Sequence, residues 1–301
     1  MLPEGQKEEG PMTNQCSDIY ECHCHVALDG VDYRNARERH RGGPDEAWVR
    51  GVLDAYRRAG IRYVRDGGDK WGASALARRL AGEYGIEYAS PVFPIFRKGD
   101  YGAFIGVPYE TVSDLRELVA RVRAEGGGFV KMMGSGIMDF DRYGVITGFV
   151  PDRSELDELV RIAHGEGLPV MMHMNSADGI LRAVDAGVDS IEHGNYADRR
   201  ALAAMADAGC LWVPTISATV NLMGKGLFDE DALGKILEMQ RTAILLGHSL
   251  GVTIACGSDA GASCVMHAEA SLQEARRLSD LLGSWEPLRR GQEKLRSRFP
   301  G

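Results

Sequence analysis

Two histidines, His23 and His25, are separated by one residue within the apolar segment 19–26. Side chains alternate between the two faces of an extended strand, so we expect both imidazoles on one face, with Cys22 and Cys24 on the other. Neutral imidazoles are common ligands of zinc and related metals. The pair predicts half of a metal site, although such a pair also occurs in strands by chance.

Four more residues of ligating type lie within or at the ends of other apolar runs, namely Lys131, His173, His193 and Asp259. The other four of the eight histidines fall outside these runs, so chance explains the placement poorly. Each residue alone could be an ordinary hydrogen-bonded or capping side chain. Together they form one candidate metal site: His23, His25, Lys131, His173, His193 and Asp259.

Lys131 is the member of this set that chance explains least, because it lies in the middle of the apolar run Phe129–Met133. Burial of an unpaired ammonium is costly and lowers the pKa of the amine. A neutral amine reacts with carbon dioxide to give a carbamate, an anionic ligand whose oxygens can bridge two cations. The alternative is an ion pair between Lys131 and an acidic neighbour.

The elements that position these residues alternate along the chain from Ile19 onward. Short apolar runs are predicted as strands: 19–25, 61–65, 87–95, 129–133, 169–173, 190–192, 211–215 and 253–257. Amphipathic segments between them are predicted as helices: 45–59, 71–84, 111–124, 154–164, 177–185, 199–208, 230–250 and 268–282. This alternation is typical of βα units around a parallel sheet.

The number of units and the loop lengths predict the architecture. Eight units, with long loops after the strands and short loops after the helices, indicate an α/β fold of the (β/α)8 TIM-barrel type. The metal site is then expected at the C-terminal ends of the strands. An open doubly wound sheet is the alternative. We expect residues 1–17 to be a flexible lead-in, residues 18–284 to form the barrel and residues 285–301 to form a basic tail.

Composition narrows the class of protein. The 301 residues include 35 basic and 43 acidic side chains, for a net charge of −8, and the two signs are interspersed, so no nucleic-acid partner is predicted. We recognise neither a signal peptide nor a transmembrane segment. The six cysteines lack Cys-x-x-Cys spacing. We therefore expect a cytoplasmic protein with free thiols, a small-molecule substrate and no membrane contact, and we leave homo-oligomerisation open.

The residues and their context resemble the amidohydrolase superfamily, and within it the prolidase-like and imidazolonepropionase-related metal-dependent hydrolases. The resemblance rests on the order His-x-His, Lys, His, His, Asp and on segments 131–136, 186–194, 213–215 and 257–261. It covers residues 19 to 275. Members of this branch usually carry a small β-sandwich, which we expect to be missing because 18 residues precede Ile19 and 42 follow Asp259.

The resemblance implies a centre of two divalent metal ions, for which zinc is the best fit. His23, His25 and Asp259 would hold the more buried ion, His173 and His193 the more exposed one, and carboxylated Lys131 would bridge them. Such a pair acidifies a bridging water and polarises a carbonyl. Asp259 would accept the proton of the attacking hydroxide and deliver it to the leaving group. The implied reaction is hydrolysis of an amide in a dipeptide or N-acyl amino acid.

Substrate recognition is expected on the long loops. Arg142 and Tyr143 follow the fourth predicted strand, and further cations lie in segments 34–41 and 97–98. An arginine could bind a substrate carboxylate through two hydrogen bonds, or it could simply be solvated.

Three other functions fit the same residues. The first is a mononuclear deaminase or cyclic-amide hydrolase with unmodified Lys131. The second is a lactone or phosphotriester hydrolase, since a metal pair does not dictate the leaving group. The third is a metal-binding barrel without catalytic activity.

Overall fold

The computed structural model describes residues 18–301, and our expectation for residues 1–17 lies outside this range. The described strands are β1 Glu21–Cys24, β2 Tyr63–Asp66, β3 Glu87–Ala89, β4 Pro94–Arg97, β5 Val107–Tyr109, β6 Val130–Met133, β7 Val170–Ser176, β8 Ser190–Tyr196, β9 Leu211–Val213 and β10 Thr253–Ile254. The described α-helices are α1 Tyr33–Arg39, α2 Glu46–Arg58, α3 Ala73–Leu80, α4 Val112–Ala124, α5 Arg153–Gly165, α6 Ala177–Ala186, α7 Arg199–Ala208, α8 Ser217–Val220, α9 Glu230–Ser249, α10 Glu269–Leu282 and α11 Glu286–Arg298. Within residues 18–301, no helix is both long and apolar enough to cross a membrane.

All pairs between these strands are parallel, and they form two sheets. One sheet has the order β1-β2-β3, and the other has the order β10-β9-β8-β7-β6-β4-β5. Backbone hydrogen bonds also link the sheets: the Cys22 N–H donates to the Cys256 carbonyl at 2.9 Å, and the Gly128 N–H donates to the Ser90 carbonyl at 2.9 Å. The molecule is therefore a mixed α/β fold with parallel sheets.

The predicted strand 87–95 is interrupted and contributes to both sheets. Its first part, β3, pairs with β2, and its continuation, β4, pairs with β6. Pro91 and Pro94 cannot donate a backbone hydrogen bond, and Val92 between them has a φ of 67°, which a β-branched residue rarely adopts. β5 adds an edge strand beside β4 where we predicted only a loop.

Strand β1 departs from simple alternation. Its pairing with β2 shifts register between Glu21 and Cys24. Cys22 consequently packs in a cluster with Tyr63 and Phe299, whereas Cys24 packs in the main core between strands and helices. The expectation that both cysteines share one face is therefore wrong, because the shift adds a residue to one strand of the pair.

The helices present their apolar faces to the sheets as the periodicity predicts. In α5, Leu156, Leu159, Val160 and Ala163 are buried, and Asp152 caps the helix by accepting a hydrogen bond from the Glu155 N–H. Residues 285–301, predicted as a basic tail, contain α11, whose Leu288 and Leu295 are buried.

The end of this segment is inserted into the core. The Phe299 ring packs edge-on against Phe129 with ring centroids 5.4 Å apart, and the Arg65 guanidinium lies 4.5 Å from its centre. The Tyr63 hydroxyl donates to the Phe299 carbonyl at 2.6 Å. The chain after α10 therefore covers the buried arginine of β2.

We expect Phe299→Ala to lower the free energy of unfolding by about 3–5 kcal/mol, because it leaves a cavity beside Phe129 and uncovers a buried guanidinium. Urea denaturation followed by circular dichroism measures the change. Arg290→Ala on the same helix removes a side chain that is 69% exposed and should change stability by no more than about 0.5 kcal/mol. Equal effects of the two substitutions would contradict a core role for Phe299.

Candidate metal centre

Five of the six predicted ligands line one cavity of about 940 Å³: His25, Lys131, His173, His193 and Asp259. The sixth, His23, is fully buried beside them. Nε2 of His23 and Nε2 of His25 each lie 3.5 Å from Oδ1 of Asp259. The candidate ligand atoms of these three residues lie within 4.8 Å of one another, which is a spacing suited to one metal ion.

The other two histidines lie next to this group. Met174 of β7 pairs in register with His193 of β8, so His173 and His193 lie on neighbouring strands. The His173 and His193 rings are 4.6 Å apart between centroids, and the His193 ring is 5.0 Å from that of His23. Lys131 of β6 is almost fully buried. The structure thus brings the six predicted residues close to one another, five of them on the wall of one cavity and His23 buried beside it.

Three outer partners orient the imidazoles. Nδ1 of His23 lies 2.6 Å from the Glu192 carboxylate, Nδ1 of His193 lies 2.7 Å from the Thr215 hydroxyl, and Nε2 of His173 lies 3.1 Å from a backbone carbonyl. Each contact uses one ring nitrogen and leaves the other for a metal. Nε2 of His23 is buried and has no hydrogen-bond partner among the described residues. The donor set and this open nitrogen fit a metal ion.

Glu192 belongs to a network that we did not predict. Arg65 donates to both carboxylate oxygens, at 2.8 and 2.9 Å, and the Ser190 hydroxyl donates at 2.6 Å. The sequence contained a sign of this network, because Arg65 is a charged residue at the end of the apolar run 61–65, as Lys131 is within the run 129–133. A buried arginine requires a buried carboxylate nearby.

Burial sets the protonation of the site. It lowers the pKa of His25 and of His173 to about 3 and that of His23 well below its ordinary value, so the imidazoles are neutral at neutral pH and free to bind metal. Burial also lowers the pKa of Lys131, against the opposing charges of Glu192 and Asp259. A larger fraction of free amine is what carbamate formation requires.

The backbone at the strand ends is strained or closely packed. His193, Thr215 and Asp259 have φ values of 65°, 51° and 62°, a region that side chains other than glycine seldom occupy. Position 67 must be glycine, because a Cβ there would lie 2.3 Å from Cε1 of His25. Residues held in such conformations are concentrated at functional sites.

The cavity above the ligands has a large apolar surface. Its apolar and aromatic lining includes Leu28, Tyr33, Tyr101, Phe104, Met133, Ile137, Phe140, Leu222 and Phe228. Its polar lining includes Asn175, Asn195, Thr219 and Gln240. Arg34 is the one arginine among the described residues that line it.

Arg142 and Tyr143, the predicted substrate-binding residues, are not among the described residues that line this cavity. The Arg142 side chain is 71% exposed and pairs with Asp139, whose carboxylate is 2.5 Å away. Tyr143 packs against Tyr196 with ring centroids 5.9 Å apart. The structure therefore separates both residues from the candidate ligands, whereas Arg34 of the predicted basic cluster reaches the cavity.

Known proteins resemble this chain in sequence and in fold. Ochratoxinase of Aspergillus niger is 26% identical over 274 residues, a match that covers 80% of this chain and 57% of the relative. The chain thus spans little more than half the length of that relative.

Among solved structures, a Xaa-Pro dipeptidase with bound methionine superimposes with a TM-score of 0.74 at 21% identity, over 94% of this chain and 75% of the other. The structure of A. niger ochratoxinase gives a TM-score of 0.70 at 19% identity, over 90% and 68%. The model of the amidohydrolase family matches residues 47–283. The chain belongs to the amidohydrolase family.

Proposed function

We propose that this chain is a metal-dependent hydrolase that cleaves the amide bond of a small substrate. The observation that carries the proposal is the meeting of three histidines, Lys131 and Asp259 at one cavity, with His23 buried beside them and the atoms of His23, His25 and Asp259 spaced as for one metal ion. Enzymes of this family generally use divalent metals. The name of one structural neighbour, a Xaa-Pro dipeptidase, supports an amide as the bond that is cleaved.

We further propose that the strands close into a (β/α)8 barrel over residues 18–284, to which residues 285–301 are attached. The hydrogen bonds from Cys22 to Cys256, from Asp259 to His23 and from Gly128 to Ser90 support closure, because they join the two sheets at both edges. A closed parallel barrel presents all eight strand ends at one face, where the candidate ligands lie.

In this proposal His23, His25 and Asp259 would hold one ion, His173 and His193 would hold the other, and Lys131, as a carbamate, would supply an anionic oxygen ligand. Zinc suits imidazole and carboxylate donors. When bound, the two cations supply Lewis acidity to a water and to the substrate carbonyl. Glu192 and Thr215 keep the ring nitrogens of His23 and His193 pointed at the centre through hydrogen bonds of 2.6 and 2.7 Å.

Asp259 is the proposed proton carrier. Burial raises the pKa of its carboxyl group above the ordinary value, although the charge of Lys131 opposes the shift. In the metal-loaded centre its carboxylate would accept a proton from the attacking water and return it to the leaving nitrogen. Its left-handed backbone holds the carboxylate toward His23 and His25.

The cavity walls indicate the kind of substrate. Aromatic side chains on several loops suit a large apolar group beside the amide. Arg34 is 68% exposed and lies 3.6 Å from Asp32, so it can turn to bind a substrate carboxylate. We therefore propose dipeptides or N-acyl amino acids with a large apolar side chain. Arg142 does not contact the substrate in this proposal. It forms an ion pair with Asp139, which lines the cavity.

We expect Lys131→Ala to lower the metal content from about two ions per chain and to reduce amide hydrolysis by at least about 10³-fold, because the bridging ligand is lost. Metal analysis and a dipeptide assay measure the two effects. Millimolar acetate, which can enter the vacated space as a carboxylate, should restore part of the activity. Lys98→Ala removes a lysine that is 62% exposed and serves as the control. A wild-type content of one ion, independent of bicarbonate, would indicate a mononuclear enzyme instead.

Asp259→Asn should lower kcat by about 10²–10⁴-fold on every amide that the wild type cleaves, because an amide side chain cannot accept the proton. The measurement is steady-state kinetics at saturating zinc, with metal content determined in parallel. Asp178→Asn, at a side chain that is 78% exposed, provides the matched control. Full activity in Asp259→Asn would rule out this residue as the proton carrier.

Glu192→Gln should weaken metal binding by about 10–100-fold, since outer carboxylate partners of ligating histidines have effects of this size. Competition with a chromophoric chelator measures the affinity. The substitution also leaves Arg65 without its charged partner, so urea denaturation should show a lower stability. Unchanged metal affinity in a folded variant would exclude the proposed role of Glu192.

A further inference from the structure

One wall of the cavity carries a row of buried amide side chains that the proposed metal centre does not use. Asn175 lies on β7, Asn195 on β8 and Gln240 on α9, and all three are buried and line the cavity. Thr219 of α8 lies on the same cavity and is fully buried. The rest of the wall is largely apolar, so these groups form a separate polar surface.

The orientation of the three amides is fixed in series by one backbone carbonyl. The Gly136 carbonyl oxygen can only accept hydrogen bonds, and it accepts one from Nδ2 of Asn175 at 3.0 Å. Oδ1 of Asn175 therefore faces Asn195 and accepts from its Nδ2 at 2.8 Å. Oδ1 of Asn195 in turn accepts from Nε2 of Gln240 at 2.6 Å. Every donor of the series points toward Gly136, and Oε1 of Gln240 is left as its open acceptor.

Two polar atoms of these cavity-lining residues lack partners, one at the end of the series and one on α8, which packs against α9. Oε1 of Gln240 and Oγ1 of Thr219 are both buried and have no hydrogen-bond partner among the described residues. A buried polar group without a partner is costly, so two such atoms in residues that line a cavity favour a ligand at this place. Because Oε1 of Gln240 can only accept, the group that binds there must be a donor.

We propose that Gln240 and Thr219 form a subsite for a hydrogen-bond donor, an amino or hydroxyl group on the acyl part of the substrate. The inference rests on the proposed amide hydrolysis and adds a selectivity to it. Arg34 of α1 and Gln240 of α9 both line the cavity, and the proposal assigns the substrate carboxylate to Arg34 and the donor group to Gln240. Acyl groups without a donor leave Oε1 of Gln240 buried and unpaired, and they bind more weakly.

Three ligands of one shape test the subsite: alanyl-phenylalanine, N-lactoyl-phenylalanine and N-propionyl-phenylalanine. They share the amide and the carboxylate, and differ in carrying an ammonium, a hydroxyl or no donor. Isothermal titration calorimetry of the zinc-loaded protein reports turnover where the amide is cleaved and equilibrium binding where it is not. We expect the first two ligands to bind, or to be cleaved, about 10-fold better than the third.

Three variants test whether the ligand preference depends on the subsite residues. Gln240→Met should reduce the preference to about 3-fold or less, and Thr219→Val, which leaves the amide series intact, should reduce it in part. Gln292→Met replaces a buried glutamine of α11 that bonds Tyr20 and Asp18 instead, and should retain the preference. Circular dichroism confirms that each variant is folded.

Each outcome decides for or against the subsite. Equal binding of all three ligands overturns it, as does a preference that survives both Gln240→Met and Thr219→Val. A preference for the ammonium alone indicates attraction by the acidic side chains that line the cavity, Asp32, Asp139 and Asp141, and also overturns it. Donor-dependent binding without turnover supports the subsite and contradicts amide hydrolysis.

Discussion

The buried carboxylate of Glu192 is the interaction on which the rest of the site depends. It accepts hydrogen bonds from His23 of β1, Arg65 of β2 and Ser190 of β8, and so joins three strands inside the protein. Both Glu192 and Arg65 are fully buried, and removal of one charge from such a pair costs about 3–5 kcal/mol. The same contact fixes the His23 ring, so the stability of the core and the orientation of a candidate ligand depend on one group.

A second buried carboxylate imposes a similar constraint on Asp259. Glu21 accepts hydrogen bonds from the backbone N–H of His23 at 3.0 Å and of Ser258 at 2.9 Å, and from the Ser258 hydroxyl at 2.6 Å. Ser258 immediately precedes Asp259, whose φ is positive. An unfavourable backbone conformation persists only where surrounding contacts determine it. Glu21 supplies these contacts and keeps the carboxylate of Asp259 near His23 and His25.

The sequence was informative where residues break a pattern. Lys131 and the four histidines stand out because apolar strands with a period of two leave few positions for such side chains, and they mark the strand ends. Arg65 breaks the pattern in the same way, yet its partner Glu192 could not be identified without knowing which strands are neighbours. The pairing in space of β2 with β1, and the contact with β8, depend on tertiary structure.

Other features had no such signal. Gln240 is one polar residue of a long amphipathic helix, and its burial depends on which face of α9 meets β8. Arg142 and Tyr143 were chosen by charge and position in a loop, and the structure exposes both side chains. Residues 285–301 are rich in arginine, which favoured a surface tail, whereas their few apolar side chains fill the core. The composition of a segment reflects its many charged residues, whereas its packing depends on the few apolar ones.

The candidate metal centre and the polar wall share an anchor at Gly136. Its carbonyl contacts Nε2 of His173 at 3.1 Å and Nδ2 of Asn175 at 3.0 Å, so it orients a candidate ligand and begins the series of amides that ends at Gln240. A Cβ at this position would lie 1.8 Å from the Thr147 carbonyl oxygen, so only glycine fits. The same carbonyl orients the His173 ring and the Asn175 amide. A shift of the 134–148 loop would therefore move the candidate metal ligand and the series of amides together. Residues 137–141 and Thr147 of this loop line the same cavity, so the proposed recognition of the acyl group and the positions of the candidate ligands depend on one segment.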